Sequence, residues 1–405
     1  LGRKAIYSLP TIRPAIFIAY GHNVKALVFT SLFLVACAPA RSDWLPHVPS
    51  GFHVEQIATI PGARELAFAP DGALFIGTNG GDIYIVPHAE SSAGAEHVFA
   101  SPGDAPAAGV SYAGGSLYVG TQHAVWRLPY RSGELHALSG PQKVASVRGG
   151  QPPARSDGDV HSSTSVAASS DHIYASVGSS CNACVETDPT RATVGEVQSG
   201  RYKVIAKRIR NAIALAINPA TQALWVADAG QDELAAPHPY EFFDDVSARR
   251  TPVDYGWPFC FEDRKRKPGS TENCNGTAVP RVIFPAYETP IGAVFYPPSQ
   301  RGRYAFPKRY SGGAFVTLHG SWHGPAQGLS GYMPPRVVFV PMRSDMPQRG
   351  IDWNDPSKQW IEFADGYQDG GSINRTGRPT GIAIGPLGDL FIGDDQTGAI
   401  YRIRP

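Results

Sequence analysis

Leu66-Ala-Phe-Ala-Pro-Asp-Gly-Ala-Leu-Phe-Ile76, followed by Asp82-Ile-Tyr-Ile-Val86, is the passage on which the fold turns. It reads as a short strand, a Pro-Asp-Gly turn, a second apolar strand and then a third. The pattern returns in Val110–Val119 with Ala124–Leu128, in Ser165–Val177 and in Ala214–Val226. A fifth copy begins at Gly292–Pro297 with Gly313–Thr317 as its second strand, and Gly381–Ile392 with Ala399–Ile403 is the sixth. No single unit can bury both of its faces. Recurrence at roughly 45–90 residues therefore predicts blades that stack around an axis, an all-β six-bladed β-propeller over 51–405. A pair of β-sandwiches is the competing arrangement, and six copies of one turn pattern favour the ring. Phe52–Ile57 is expected to pair with the last blade and remove the free edge. The longest departures, 235–290 and 297–380, are insertions in blades four and five, and long loops on a rigid ring are where a site belongs.

Composition agrees with this. Of 405 residues 42% are hydrophobic and 18% charged, as in a globular chain, and Gly 44 with Pro 36 is too turn-rich for a helical bundle. Lys+Arg 36 against Asp+Glu 35 leaves +1, so no global charge argues for a nucleic-acid partner. The first 36 residues stand apart, with Arg3, Lys4, Arg13 and Lys25, no acidic residue, and an apolar run from Ala26 to Ala36. That is a secretory signal pattern, too short to span a bilayer. Its end, Leu34-Val-Ala-Cys37, resembles a bacterial lipobox with Cys37 as the lipidated residue; ordinary cleavage after the small residues of 36–40 is the alternative. On either reading 1–36 is a signal peptide and 37–50 a linker. The protein is expected to be exported, periplasmic or anchored to a membrane as a lipoprotein. Removing the four cations takes the formal +1 to −3 for the exported part.

Export bears on the cysteines. Four remain, Cys181, Cys184, Cys260 and Cys274, an even number in an oxidising compartment. Local pairing as Cys181–Cys184 and Cys260–Cys274 is expected from the three connectivities. A zinc site from the Cys-x-x-Cys pair is the alternative, although the second pair lacks metal-like spacing.

Chemistry has to be argued from residues, since a propeller is only a platform. Dinucleotide, Walker, Gly-x-Ser-x-Gly and His-Glu-x-x-His motifs are all missing. Polar residues do gather just before innermost strands: Asp157-Gly-Asp-Val-His161 before blade three, Arg210-Asn211 before blade four, Arg375 and Arg378 before blade six. In a propeller these positions converge on one face. They offer an imidazole as proton acceptor beside guanidinium forks that bind carboxylates. The chemistry suggested is a polyanionic ligand held by arginine with His161 as base. Each residue has a plainer use: His161 bonding its own turn, Arg210 capping a turn, Arg378 pairing with Asp394 or Asp395. Their shared place in the repeat favours the functional reading.

At this point the chain resembles the glucose/sorbosone dehydrogenase family, six-bladed propellers that use pyrroloquinoline quinone (PQQ). The segments that carry the resemblance are His161-x-x-x-Ser165-Val, Tyr174–Asn182, Arg210-Asn211, Leu224–Glu233, Asp254–Pro258, Gly312–Trp322, Val337–Pro341 and Gly377–Gly381. It spans nearly all of 51–404 and lies nearer the sorbosone-type branch. The resemblance implies a quinoprotein sugar dehydrogenase oxidising an aldose or sugar aldehyde. His161 would take the hydroxyl proton as hydride passes to PQQ, and Arg210 would stabilise charge on the quinone oxygen. It also implies PQQ contacts from Asn211 and Arg378, and Ca²⁺ held at Gly230 and Gln231 with Asp232 and Glu233 as nearby oxygen ligands. The sequence departs from the family at Val160, where glucose-oxidising members carry an acidic residue, so Asp159 is the candidate partner of His161. A cofactor-binding lysine has no clear counterpart, with His319 or Lys308 as replacements, and the family's Gly-Ser-Trp-Asn reads Gly320-Ser-Trp-His323. Electrons would pass to a quinone, cytochrome or dye. Trp225, Tyr255, Trp257 and Trp322 are candidates to line the sugar pocket.

Two other readings compete. One is a cofactor-less surface propeller that binds sugar or protein. The other is a Ca²⁺-dependent lactonase, which would want acidic side chains around the axis where this chain has His and Arg.

Overall fold

The computed structural model describes residues 44–150 and 161–405. The segment expected to be a signal peptide, Cys37 and Asp157–Val160 lie outside the described residues. Among the described residues six blade sheets, antiparallel apart from one parallel strand added to the third, follow one another along the chain, with a separate two-stranded hairpin at 342–347. Their innermost strands are Ala63–Phe68, Gly109–Ala113, Val166–Ala168, Ala212–Ile217, Pro290–Phe295 and Pro379–Ile384. Each touches the next around a closed ring, so the chain is an all-β six-bladed propeller. The turn pattern marked the start of every blade correctly.

Why these strands form is clearest in the second strand of each blade. Leu74–Thr78, Leu224–Asp228, Ala314–Leu318 and Leu390–Asp394 are buried along their whole length, because each lies between its own blade's neighbours and the face of the adjoining blade. One shared cluster shows this: Trp225, Phe243 and Phe284 of blade four pack with Phe295, Val316 and Val338 of blade five. Blades therefore stabilise one another, as the sequence pattern required. His53–Thr59 pairs antiparallel with Ala399–Arg404, from His53 opposite Arg404 to Thr59 opposite Ala399, and closes the ring as expected. Residues 44–50 are docked and do not behave as slack linker. Trp44 packs edge-on against Tyr367 and Tyr401, and His47 bridges Asp365.

Around the axis the innermost strands approach closely. A Cβ on Gly109 would strike the Thr164 carbonyl and one on Gly381 the Arg64 carbonyl, so both positions require glycine. The strands surround a channel of about 340 Å³ lined by residues of all six blades.

In blades one, four, five and six the register slips at the start of the innermost strand, between Ala63 and Leu66, Ala212 and Ala214, Pro290 and Gly292, and Pro379 and Ile382. Such bulges re-aim the residues beside them. Antiparallel pairing also puts the end of each second strand beside the start of the first. One face thus carries two kinds of position, those leading into first strands and those leaving second strands. The blade-four insertion lends Val253–Asp254 to blade three as a parallel fifth strand, and continues into the loop closed by Cys260–Cys274.

Candidate active site

Both disulfides form as expected, Cys181–Cys184 and Cys260–Cys274. Among the described residues the one cluster with metal-ligand side chains in reach is Cys181, Cys184 and Glu186, and its cysteines are joined to each other, which removes the zinc alternative.

His161 leads into blade three. Its Nδ1 lies 2.9 Å from the Ser179 carbonyl and 3.1 Å from Ser179 Oγ. A carbonyl only accepts, so Nδ1 carries the hydrogen and Nε2 keeps its lone pair. Burial, reinforced by the charge of Arg210, draws the imidazole pKa down to about 3, so the ring is neutral at ordinary pH. Gly178 makes room for this: a Cβ there would collide with His161 and with Asn211 Oδ1. The buried Arg191 fixes the same turn, donating from Nε to the Gly178 carbonyl and from Nη2 to the Ser179 carbonyl, both at 2.7 Å.

Arg210 is only 4% exposed and all five of its N–H groups are engaged. Nη1 donates to the carbonyls of Ala229 (3.2 Å) and Gly230 (2.6 Å). Nη2 donates to Asn182 Oδ1 (3.1 Å) and Asp232 Oδ2 (2.6 Å), and Nε to the Asn182 carbonyl (3.3 Å). The other oxygen of Asp232 meets His323 Nε2 at 2.8 Å. Asn211 follows directly and donates its main-chain N–H to Asp228, a buried carboxyl whose pKa burial lifts to about 6.

Arg378 leads into blade six. Its Nε donates to the His319 carbonyl at 3.2 Å, and its guanidinium lies 4.5 Å over the ring of Trp322. The expected pairing with Asp394 or Asp395 is not made by its side chain. Asp394 accepts the Arg378 main-chain N–H, while Asp395 is taken by His319 Nε2 (3.0 Å) and Arg64 Nη1 (3.2 Å). Burial pulls the Arg378 pKa to about 10, and the charges of Arg375 and Arg64 beside it push the same way. Cations are crowded on this side of the axis, and an anionic ligand would relieve them.

The proposed metal positions divide. Gly230 offers its carbonyl, which already accepts one bond from Arg210. The Gln231 side chain is held by Lys267 Nζ at 2.8 Å, which leaves its main-chain oxygen as the donor on offer. Asp232 has both oxygens engaged with Arg210 and His323, so its first role here is as their counter-ion.

Several expectations move. Lys308 sits in the short helix Lys308–Tyr310 between the first two strands of blade five, at the opposite end from the site, and so cannot stand in for a cofactor lysine. The buried lysine near the site is Lys267, in the Cys260–Cys274 loop, with its pKa lowered to about 8 by burial. Trp225 is fully buried between Phe243 and Phe295, and Tyr255 stacks on Phe242 and donates to Asp244; both are core. Trp257 is buried and donates to the Asn182 carbonyl at 3.3 Å, while Trp322 is 68% exposed and free to stack on a ligand. Sequence reasoning missed Arg64, Asn182, Arg191 and Lys267. Arg64 had a readable signal, since it leads into blade one as Arg210 leads into blade four. On the axis only Glu65 among the channel-lining residues is acidic, which does not make the carboxylate cage that a lactonase metal needs.

Comparison with known proteins places these residues in context. The TrAA12-like family matches residues 243–405. A protein of unassigned function from Borreliella burgdorferi is 21% identical over 393 residues, covering 93% of this chain and 96% of its own. The holo pyranose dehydrogenase PQQ domain from Coprinopsis cinerea superposes with a TM-score of 0.72 at 17% identity, over 90% of this chain and 98% of that one. The AA12 carbohydrate-active enzyme of Trichoderma reesei, in its calcium structure, gives 0.70 at 16% over 89% and 96%. The PQQ-bound aldose sugar dehydrogenase of Streptomyces coelicolor gives 0.58 at 16% over 88% and 99%. The resemblance read from the sequence therefore stands, as a TrAA12-like pattern in residues 243–405 and as the propeller fold of PQQ-dependent sugar dehydrogenases throughout the described body, with no sorbosone-type branch singled out.

Proposed function

We propose that the protein is an exported PQQ- and Ca²⁺-dependent dehydrogenase of aldoses or sugar aldehydes, with His161 as its base. The observation that carries this reading is the neutral imidazole of His161, its Nδ1–H fixed on the Ser179 carbonyl, on the same propeller face as Arg210 and the crowded Arg64, Arg375 and Arg378. A tricarboxylate quinone suits that charge. Arg378 and Arg375, with Trp322 stacked against them, would hold its carboxylates, and Asn211 would contact it beside His161. The main-chain carbonyls of Gly230 and Gln231 would hold Ca²⁺, a hard cation that takes oxygen ligands. When bound, PQQ supplies the two-electron acceptor for a hydride from the sugar carbon.

The chain's own residues do the rest. His161 Nε2 takes the hydroxyl proton of the sugar, and the Ser179 carbonyl keeps the ring in the tautomer that can accept it. Arg210, with all its donors engaged, acts through its fixed positive charge, favouring negative charge that develops nearby; a direct bond would require exchange of one present partner. Trp322 presents an exposed indole on which a sugar ring can stack. Two disulfides in a chain of this size support the oxidising compartment that the signal pattern implies, and Cys37 remains the proposed lipid attachment. A quinone or cytochrome is the proposed electron acceptor. The test is a spectral titration of the cofactor-free protein with PQQ and Ca²⁺ followed by an aldose panel. Binding with sugar-dependent bleaching of the quinone band supports the reading, and a folded protein that binds no PQQ overturns it in favour of a sugar- or protein-binding propeller.

A further inference from the structure

The turn Gly178–Cys184 leaves the second strand of blade three and touches both His161 and Arg210. Ser179 accepts from His161 Nδ1 through its carbonyl and donates its own N–H to the Arg210 carbonyl at 2.8 Å. Its Oγ donates to the Cys181 carbonyl at 2.7 Å. Three residues on, Asn182 is a hub. Its Oδ1 accepts from Arg210 Nη2 (3.1 Å) and from the Asp232 N–H (2.8 Å). Its Nδ2 donates to the Asp232 carbonyl (3.1 Å), and its own carbonyl accepts from Arg210 Nε and Trp257 Nε1, each at 3.3 Å. The Cys181–Cys184 bond closes the loop around Asn182.

We propose that Asn182, held in place by the Cys181–Cys184 disulfide, is the positioning residue that aims Arg210 and the 229–233 loop, and that the redox state of this disulfide governs activity. The proposal rests on the reading of His161 and Arg210 as the working groups. Without the bond, the four-residue loop gains conformational freedom and the contacts of Asn182 must be ordered at an entropic cost. The two disulfides also differ in access. Cys260 and Cys274 are 2% and 3% exposed, whereas Cys181 and Cys184 are part-exposed at the site itself. A dithiol can therefore open the loop selectively. It gives two electrons and two protons to the S–S bond, producing two cysteine thiols, and leaves as its own disulfide.

The experiment compares wild type with Cys181→Ser/Cys184→Ser, Asn182→Ala and Asn182→Asp, first by hydrogen exchange on the cofactor-free proteins. The Asp232 amide, which donates to Asn182 Oδ1, is expected to exchange about tenfold faster or more in the double serine variant and in Asn182→Ala, with distant blade amides unchanged. Asn182→Asp keeps the oxygen that accepts the Asp232 amide but loses the Nδ2 donor to the Asp232 carbonyl, so it should recover part of the protection. With PQQ and sugar, kcat should fall about tenfold while the sugar KM stays within about twofold, and dithiothreitol should reproduce this only in wild type, reversibly, with Cys260–Cys274 intact by mass mapping. Equal exchange and equal kcat in wild type and the double serine variant would overturn the proposal. If the exchange difference appears while no protein oxidises sugar, the clamp stands and the dehydrogenase reading falls.

Discussion

Two aspartates on the same face are each saturated by one arginine and one histidine, yet the surroundings set them apart. Asp232 holds Arg210 and His323 on the blade-four side; Asp395 holds Arg64 and His319 where blades five, six and one meet. The Asp232 side chain is 43% exposed and that of Asp395 only 12%. Burial makes the second cluster strongly perturbed: hydrogen bonding and the charges of His319 and Arg64 outweigh desolvation and hold Asp395 down to about 2, while burial draws His319 down to about 4. The carboxylate of the first cluster is more open to solvent and lies near His161. The comparison teaches that one pattern of residues serves two ends. On the proposed reading it would supply a fixed charge beside His161, and on the far side it braces the arginines that would face an anionic ligand.

The sharpest way to break this contrast is to remove each arginine. Arg210→Ala should lower kcat about 10²–10³-fold, the range seen when a preorganised electrostatic partner is lost, and should also cost stability, because it removes the hydrogen bonds to Asn182, Ala229, Gly230 and Asp232. Arg64→Ala should leave kcat within about tenfold but cost about 1–3 kcal/mol of stability, since it removes a charged hydrogen bond from Asp395. Denaturant titration and steady-state kinetics on the two variants decide it, and equal kinetic losses would erase the distinction.

Next in size is Arg378→Ala. It should weaken PQQ binding about 10–100-fold, as expected for one charge-assisted hydrogen bond, with little change in the sugar KM once cofactor is saturating. Retained affinity would move the anion site away from the blade-six wall.

The smallest effect concerns pH. His319 is neutral in the fold down to about 4 but titrates near 6.5 when unfolded, so the unfolded chain binds more protons between those values. Its contribution is therefore fully present above pH 6.5 and is lost as pH falls toward 4. Asp395, lowered to about 2 from its ordinary value near 3.9, adds a further loss only below pH 4. His319→Gln should flatten the decline between pH 6.5 and 4 in melting experiments.

The blades were legible because each begins with the same local turn, and local chemistry is what sequence displays. His161, Arg210, Asn211 and Arg378 were legible because they share one place in that repeat. Their partners were not. Asn182, Asp395 and His323 leave second strands and find their partners across blades, Asn182 on Arg210, Asp395 on Arg64 and His319, and His323 on Asp232, while Lys267 reaches Gln231 from a disulfide loop 36 residues away. Trp225 looks like pocket lining in the sequence because an aromatic in a repeat reads the same whether it faces a ligand or the next blade; only the stacking of blades four and five decides that. Residues 44–50 looked like linker because one tryptophan among polar residues gives no sign of the Tyr367 and Tyr401 rings that receive it.

The measurement that tests the central claim most directly uses the protein from Arg41 onward, prepared without cofactor, beside His161→Ala. Both are loaded with PQQ and Ca²⁺, and the quinone absorption is followed on adding an aldose. The account predicts that both bind PQQ, that wild type bleaches the quinone band with sugar, and that His161→Ala does so about 10²–10⁴-fold more slowly. Equal rates in the two proteins would contradict the role of His161, and a folded wild type that binds no PQQ would contradict the enzyme itself.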